Sequence, residues 1–292
     1  MNIESLKDYT PLFRTLHEER YLRRDFLKKI KEIFRVNCVL SYISPVAPID
    51  QTDPIVFEDL LYGIKERKVN SILLILHSLG GSPDVAEKIV ETIRERTRKF
   101  YVVIPERAKS SATLLSLGSD KIYMLESAEL GPIDPQVKIK TPSGEQWRPA
   151  QSIIDGYFAA IQIVASKGKE LGIAAPLLLQ MIDLPTLDFA NKALQHAKAI
   201  AEKLLTTYML KNSEKAKKVA KKLADANEFL SHGRPIRWHY AKNELGLNVS
   251  LIKRNTEKYE LIWRYFLYAI KFLLEKKLNK LFENDSGVSL IF

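Results

Sequence analysis

SILLILHSLGGSPDVAEKIVETIRERTRKFYVVIPERAKSSATLLSLGSDKIYML, residues 71–125, is the stretch whose reading decides the fold. It opens on a near-continuous apolar run, residues 71–76, as a strand buried on both faces requires. HSLGGSPD supplies turn residues, and Pro83 suits the first position of a helix. VAEKIVETIRERTRK then carries apolar residues at helical spacing with charged residues between them. FYVVIP is a second buried strand, ERAKSSATLLSLGS (106–119) holds a short small-residue helix, and KIYML is a third strand. Strands alternating with helices in this way predict an α/β fold with a parallel sheet and right-handed crossovers.

Working outward, VNCVLSYIS (36–44) reads as another strand, ending in a Pro/Asp loop, with a helix expected over 54–67. Residues 11–35 have helical apolar spacing and many Arg and Lys, so an amphipathic helix or a broken pair is expected there. Downstream, 126–147 reads as loop and hairpin. Residues 150–171, 185–211 and the Lys-rich 213–226 read as helices, with a break around 172–175. Residues 231–252 read as a loop, a short helix and a last strand. A basic, aromatic helix is expected over 256–282, and the terminal DSGVSLIF is expected to fray. This gives three segments: an N-terminal helical segment 1–35, a core domain 36–250, and a C-terminal helical extension 251–292.

The 292 residues are 46% hydrophobic and 27% charged, enough apolar material for a sizeable core. A net charge of +10 excludes an acidic disordered chain and leaves nucleic acid or an anionic membrane surface open as partners. Cys38 is the single cysteine, which rules out an intrachain disulfide and a Cys-rich zinc site. The N-terminus is polar and signals no leader. The most apolar long stretch, 261–274, is interrupted by Arg264 and Lys271 and falls short of the ~20 residues of a membrane span. A cytoplasmic protein, with peripheral membrane contact as an option, is expected.

There is no GxGxxG, P-loop, HExxH or GxSxG motif. Two strand-to-helix turns are informative instead, because sites in open parallel sheets form at the carboxyl ends of strands. The first, His77-Ser78-Leu79-Gly80-Gly81-Ser82, has two glycines that let backbone N–H groups approach a ligand, as an oxyanion needs; a plain tight turn is the alternative. The second, Ala108-Lys109-Ser110-Ser111-Ala112-Thr113, puts a serine at a helix start, where the local field favours a developing alkoxide. An N-cap serine is the competing reading.

Together these turns, followed by GSDKIYM and SAELGPIDPQ, resemble the serine-protease branch of the Clp-protease/crotonase fold. The string looks closest to the serine dehydrogenase proteinase family, itself similar to signal peptide peptidase A. The resemblance covers roughly 20–250 and is sharpest over 71–137. It departs from the commoner HSPGG at Leu79 and from KSAAT at Ser111. It implies a spiral of ββα units, usually a homo-oligomer, and acyl chemistry on the peptide bonds of a peptide or protein substrate. No cofactor or metal is expected. It puts the nucleophile at Ser110, with Ser111 as the alternative, and the oxyanion turn at Gly80, Gly81 and the backbone of Ser111.

The resemblance leaves the base open. Ile133-Asp134-Pro135-Gln136 stands where Clp-type peptidases carry a histidine, and His232 stands near the place of their aspartate. One reading is therefore an exchanged triad of Ser110, His232 and Asp134, with His232 as base and Asp134 orienting it. The rival is a Ser–Lys dyad using Lys109, Lys138 or Lys140. His77 is expected to shape the glycine turn, and His17, His196 and His239 to be structural.

Two other classes compete with a serine peptidase. A crotonase-like acyl-CoA enzyme would use the same oxyanion turn. An inactive scaffold would bind an anionic surface through the basic helices. No aromatic–basic motif points to specific nucleic-acid recognition.

Overall fold

The computed structural model describes residues 12, 15, 17–64, 68–141, 144–172, 174, 176 and 184–292. The polar N-terminal stretch and part of the expected break at 172–175 lie outside the described residues. In chain order the elements are α1 (Glu18–Phe34), β1 (Cys38–Ser44), α2 (Asp53–Leu61), β2 (Val69–Ser78), α3 (Pro83–Arg96), β3 (Thr97–Ile104) and β4 (Arg107–Ala108). Next come α4 (Ser111–Leu117), β5 (Lys121–Leu125), β6 (Glu129–Leu130), the β7 (Gln136–Thr141) and β8 (Gly144–Pro149) hairpin, and α5 (Ala150–Leu171). Then α6 (Leu184–Leu204) leads through a π-turn to α7 (Ser213–Leu223) and α8 (Ala226–Phe229). The chain ends with β9 (Ile236–Arg237), α9 (Trp238–Asn243), β10 (Val249–Ile252), α10 (Glu257–Lys276), β11 (Leu281–Asn284) and β12 (Ser289–Ile291).

These elements form two compact units, one of residues 1–130 and 236–292, the other of 131–235. The first unit is assembled from both ends of the chain.

In the first unit the main sheet runs β10-β5-β3-β2-β1-β11-β12. The strands from β10 to β1 are parallel neighbours, as the strand–helix alternation predicts. Every β2 residue from Ile72 to Ser78 is buried, in keeping with a strand covered on both faces. Helix α3 starts where Ser82 accepts a bond from the Val85 N–H and Pro83 occupies the first turn. It buries Val85, Ala86, Ile89, Val90 and Ile93. Helix α1 buries Phe26, Leu27 and Ile30, and α10 buries Ile262, Tyr265, Phe266, Ala269 and Leu273.

The C-terminal reading needs correction. The helix over 256–282 stops at Lys276, where Lys277 takes a left-handed cap whose N–H bonds the carbonyls of Leu273 and Leu274. Residues 281–291 then form an antiparallel hairpin on the edge of β1, rather than a helix end and a frayed tail. The edge strand leaves unpaired N–H and C=O groups that a further strand satisfies. Phe282 is fully buried there and stacks on Tyr42 with ring centroids 4.6 Å apart. Leu278, Leu281 and Phe282 have spacing that suits a helix equally well, so only the waiting edge distinguishes the two.

The second unit holds the β7–β8 hairpin and helices α5 to α8. Helix α6 buries Ala190, Leu194, Ala197, Ile200, Ala201 and Leu204, and the Lys-rich α7 buries Ala216, Val219, Ala220 and Leu223, leaving its lysines outward. Among the described residues no helix is long and apolar enough to cross a membrane.

Candidate active site

The first constellation lies in the first unit, where sheet register brings the two turns side by side. Ser78, at the end of β2, pairs with Ala108 of β4, and the Lys109 N–H donates to the Ser78 carbonyl at 3.0 Å. The glycine turn and the serine turn therefore leave adjacent strands at one level. A Cβ on Gly80 would fall 2.7 Å from the Ser110 Cβ, 2.7 Å from the Lys109 carbonyl oxygen and 3.0 Å from the Ser111 nitrogen. Only a residue without a side chain fits, and Gly80 also has φ 101°. The Gly80 N–H donates to Ser78 Oγ at 3.1 Å, so a buried hydroxyl orients this peptide.

Ser110 has φ 50° and ψ −119°, values that glycine dominates at the first central position of a type II′ turn. It stands at the N-cap of α4, yet its side chain makes no capping bond. The capping reading thus loses its main support, and the hydroxyl stands partly exposed beside Gly80. Ser111 is different. It is buried, and its hydroxyl donates to the Gly81 carbonyl at 2.7 Å. That bond commits the Ser111 side chain to holding the glycine turn and leaves Ser110 as the reactive candidate.

Lys109 is paired with an acid: its buried Nζ lies 2.6 Å from Glu129 Oε1 and 3.4 Å from the Leu130 carbonyl. His77 is buried, with Nε2 2.8 Å from Glu106 Oε2 and its ring against Phe266. Glu106 also bonds Arg107. Burial opposes ionisation of Glu106, but the His77 and Arg107 bonds prevail and hold its carboxyl down at about 2. His77 therefore ties the end of β2 to the segment leading into the serine turn. Sequence reasoning missed its partner Glu106, and also Glu129, since a lone acid carries no pattern.

The second constellation lies within the second unit. His232 Nδ1 is 2.8 Å from Asp134 Oδ1, across 98 positions of sequence. Asp134 is buried at 1% exposure, and its other oxygen accepts from Gln136 Nε2 at 2.9 Å. When the Asp134 carboxylate is the acceptor, His232 Nδ1 is the donor, and in the neutral ring Nε2 then bears the lone pair. That is the tautomer a general base needs. The loop holding Asp134 is pinned by the Ile133 N–H on the Leu223 carbonyl at 2.8 Å. Among the rival lysines, Lys138 pairs with Glu145 across the exposed β7–β8 hairpin, and the side chain of Lys140 lies outside the described residues. Among the described residues no group of three His, Cys, Asp or Glu side chains is placed to hold a metal.

The chain is similar to two uncharacterised proteins of Methanocaldococcus jannaschii. One is 31% identical over 177 residues, 61% of this chain and 51% of that protein. The other is 33% identical over 193 residues, 66% and 58% of the respective lengths. The chain thus spans a little over half the length of these relatives. Among solved structures, a variant of the 1510-N membrane-bound stomatin-specific protease superposes with a TM-score of 0.45 at 13% identity, covering 70% of this chain and 75% of that one. ClpP1 from Listeria monocytogenes gives 0.43 at 13%, covering 84% and 97%. The model of the ClpP-like SDH-type serine proteinases matches residues 56–269, which include both turns, Asp134 and His232, and the chain belongs to that family.

Proposed function

We propose that the protein is a serine endopeptidase that cleaves peptide or protein substrates through an acyl-enzyme on Ser110. The observation that carries this reading is the backbone of Ser110, held in a glycine-type conformation at the mouth of a double-glycine turn with its hydroxyl free of capping duty. A non-glycine residue in such a conformation costs roughly 1–3 kcal/mol and persists where its surroundings enforce it, typically at functional sites.

In the mechanism, Ser110 Oγ attacks the scissile carbonyl and gives its proton to a general base, the role proposed for His232 from the family resemblance. Asp134 keeps the imidazole in the Nδ1–H tautomer and stabilises the imidazolium. Backbone N–H groups of Gly81 and Ser111 stabilise the oxyanion, in a turn whose Gly80 peptide is held by its bond to Ser78. His232 then returns the proton to the leaving amine, and water hydrolyses the ester by the same steps in reverse. Each pairing within a unit supports its part of this scheme: Ser110 against Gly80, and His232 on Asp134. No cofactor takes part. A homo-oligomer, an intracellular setting and contact with a membrane surface through the basic helices belong to the same proposal.

Covalent labelling with a fluorophosphonate tests it. The folded protein should gain one adduct on Ser110, and Ser110→Ala should gain none. An unlabelled wild type, or equal labelling of Ser110→Ala, overturns the proposal.

A further inference from the structure

The C-terminal hairpin carries a buried cation that leads back to the glycine turn. Lys280 sits just ahead of β11 and is buried, with its Nζ 2.6 Å from Asp50 Oδ2 and 2.6 Å from Asp53 Oδ1. The other oxygen of Asp53 accepts from Tyr42 Oη at 2.7 Å and from the Asp50 N–H at 3.0 Å. Asp53 is fully buried, and Lys280 neutralises it at contact distance. Burial raises the Asp50 carboxyl, but the bonds from Lys280 and Thr52 outweigh it and leave the group at about 2. Asp50 is thus a charged partner of Lys280, and Asp53 meets the same Nζ at 2.6 Å.

Asp50 follows Ile49, and Ile49 brackets the oxyanion turn. The Ile49 N–H donates to the Gly80 carbonyl at 2.8 Å, and the Ser82 N–H donates to the Ile49 carbonyl at 2.9 Å. A Cβ on Gly81 would lie 2.3 Å from the Ile49 oxygen, so the two backbones touch directly. The Gly81 carbonyl in turn accepts the Ser111 hydroxyl. From Lys280 to the residue beside the nucleophile, each link is a short polar contact or a covalent neighbour.

We propose that Lys280 is a positioning residue of the peptidase reaction, fixing the 49–53 loop and through Ile49 the Gly80–Gly81 turn. The inference rests on the peptidase reading for its kinetic consequence, but not for its structural one. Without the ammonium, the half-exposed Asp50 and the buried Asp53 lose the cation that holds them together, and the turn that the Asp50 N–H closes on Asp53 opens. Ile49 shifts with it, and backbone donors aimed at a developing charge lose their aim. Displacement by about 1 Å at such a site costs on the order of 100-fold in rate.

The test uses the full chain as wild type, Lys280→Met, Lys280→Arg and Asp50→Asn, with fluorophosphonate labelling of Ser110 measured well below the lowest melting temperature. The maximal labelling rate of Lys280→Met should fall about 10- to 100-fold with the half-saturating probe concentration unchanged, by the misplacement argument. Lys280→Arg, which keeps the charge, should recover most of the loss. Asp50 is half-exposed, so Asp50→Asn should fold even where Lys280→Met does not, and should label several-fold more slowly. Hydrogen exchange reads the turn independently of chemistry: the Ile49 and Ser82 amides should lose protection in Lys280→Met or, failing its folding, in Asp50→Asn. A wild type that does not label, combined with that loss of protection, sinks the peptidase reading and leaves the control of the turn standing. Unchanged protection, or Lys280→Arg no better than Lys280→Met, overturns the inference.

Discussion

Consider replacing Ser110 by glycine and, separately, by alanine. Both variants lack the nucleophile, so any stability change from losing the hydroxyl cancels between them. That hydroxyl does not cap α4, which keeps the common loss small. The variants differ in the Cβ. Alanine keeps it and keeps the penalty of φ 50°, ψ −119°. Glycine removes a penalty of about 1–3 kcal/mol. Glycine also loses about 0.5–1 kcal/mol more conformational freedom on folding. The difference leaves Ser110→Gly more stable than Ser110→Ala by about 1 kcal/mol. In a domain of this size that is about 2–4 °C in melting temperature. Thermal unfolding followed by circular dichroism, both variants side by side, resolves such a gap. If Ser110→Gly melts at or below Ser110→Ala, the serine turn stores no strain, and the argument from its backbone fails.

Two more outcomes follow from the neighbouring groups. Asp134→Asn should fold, because Asn still accepts from Gln136, but His232 loses the acceptor that selects its tautomer; labelling of Ser110 should drop by about 10²–10⁴-fold, and a drop under three-fold would remove Asp134 from the mechanism. Glu106 is held at about 2 against an ordinary 4.5, so its ionised form stabilises the fold above about pH 4.5, and that contribution is lost as pH falls towards 2. Glu106→Gln should therefore flatten the acid limb of stability over that window in urea titrations, and parallel curves for the two proteins would refute the assignment.

Particular residues show where sequence reading ends. The β2–α3–β3–α4–β5 run was legible because each element announces itself locally: apolar runs for buried strands, helical spacing between them, Gly and Pro at the joints. Ser110, Gly80 and Gly81 were legible because a motif keeps its residues close together. Asp134 and His232 were legible only as positions in a resemblance; their 2.8 Å contact spans 98 residues and has no local signature. Glu106, Glu129 and Lys280 carried no signal, since one charged residue in a chain with 45 Lys and Arg and 35 Asp and Glu looks like any other.

The sequence alone determined the parallel α/β core and the two turns at its carboxyl edge, because hydrophobic period and turn chemistry act over a few residues. Tertiary structure decided the rest. It assigned 281–291 to a strand pair, since an open edge on β1 outweighs a helical spacing that is equally possible. It gave Ser111 to the glycine turn and left Ser110 unbonded to its helix, since adjacent strand ends set which hydroxyl meets which carbonyl. It also placed Lys280 on Asp50 and Asp53, 230 and 227 positions away, because a buried charge must find its counter-charge wherever the fold brings one.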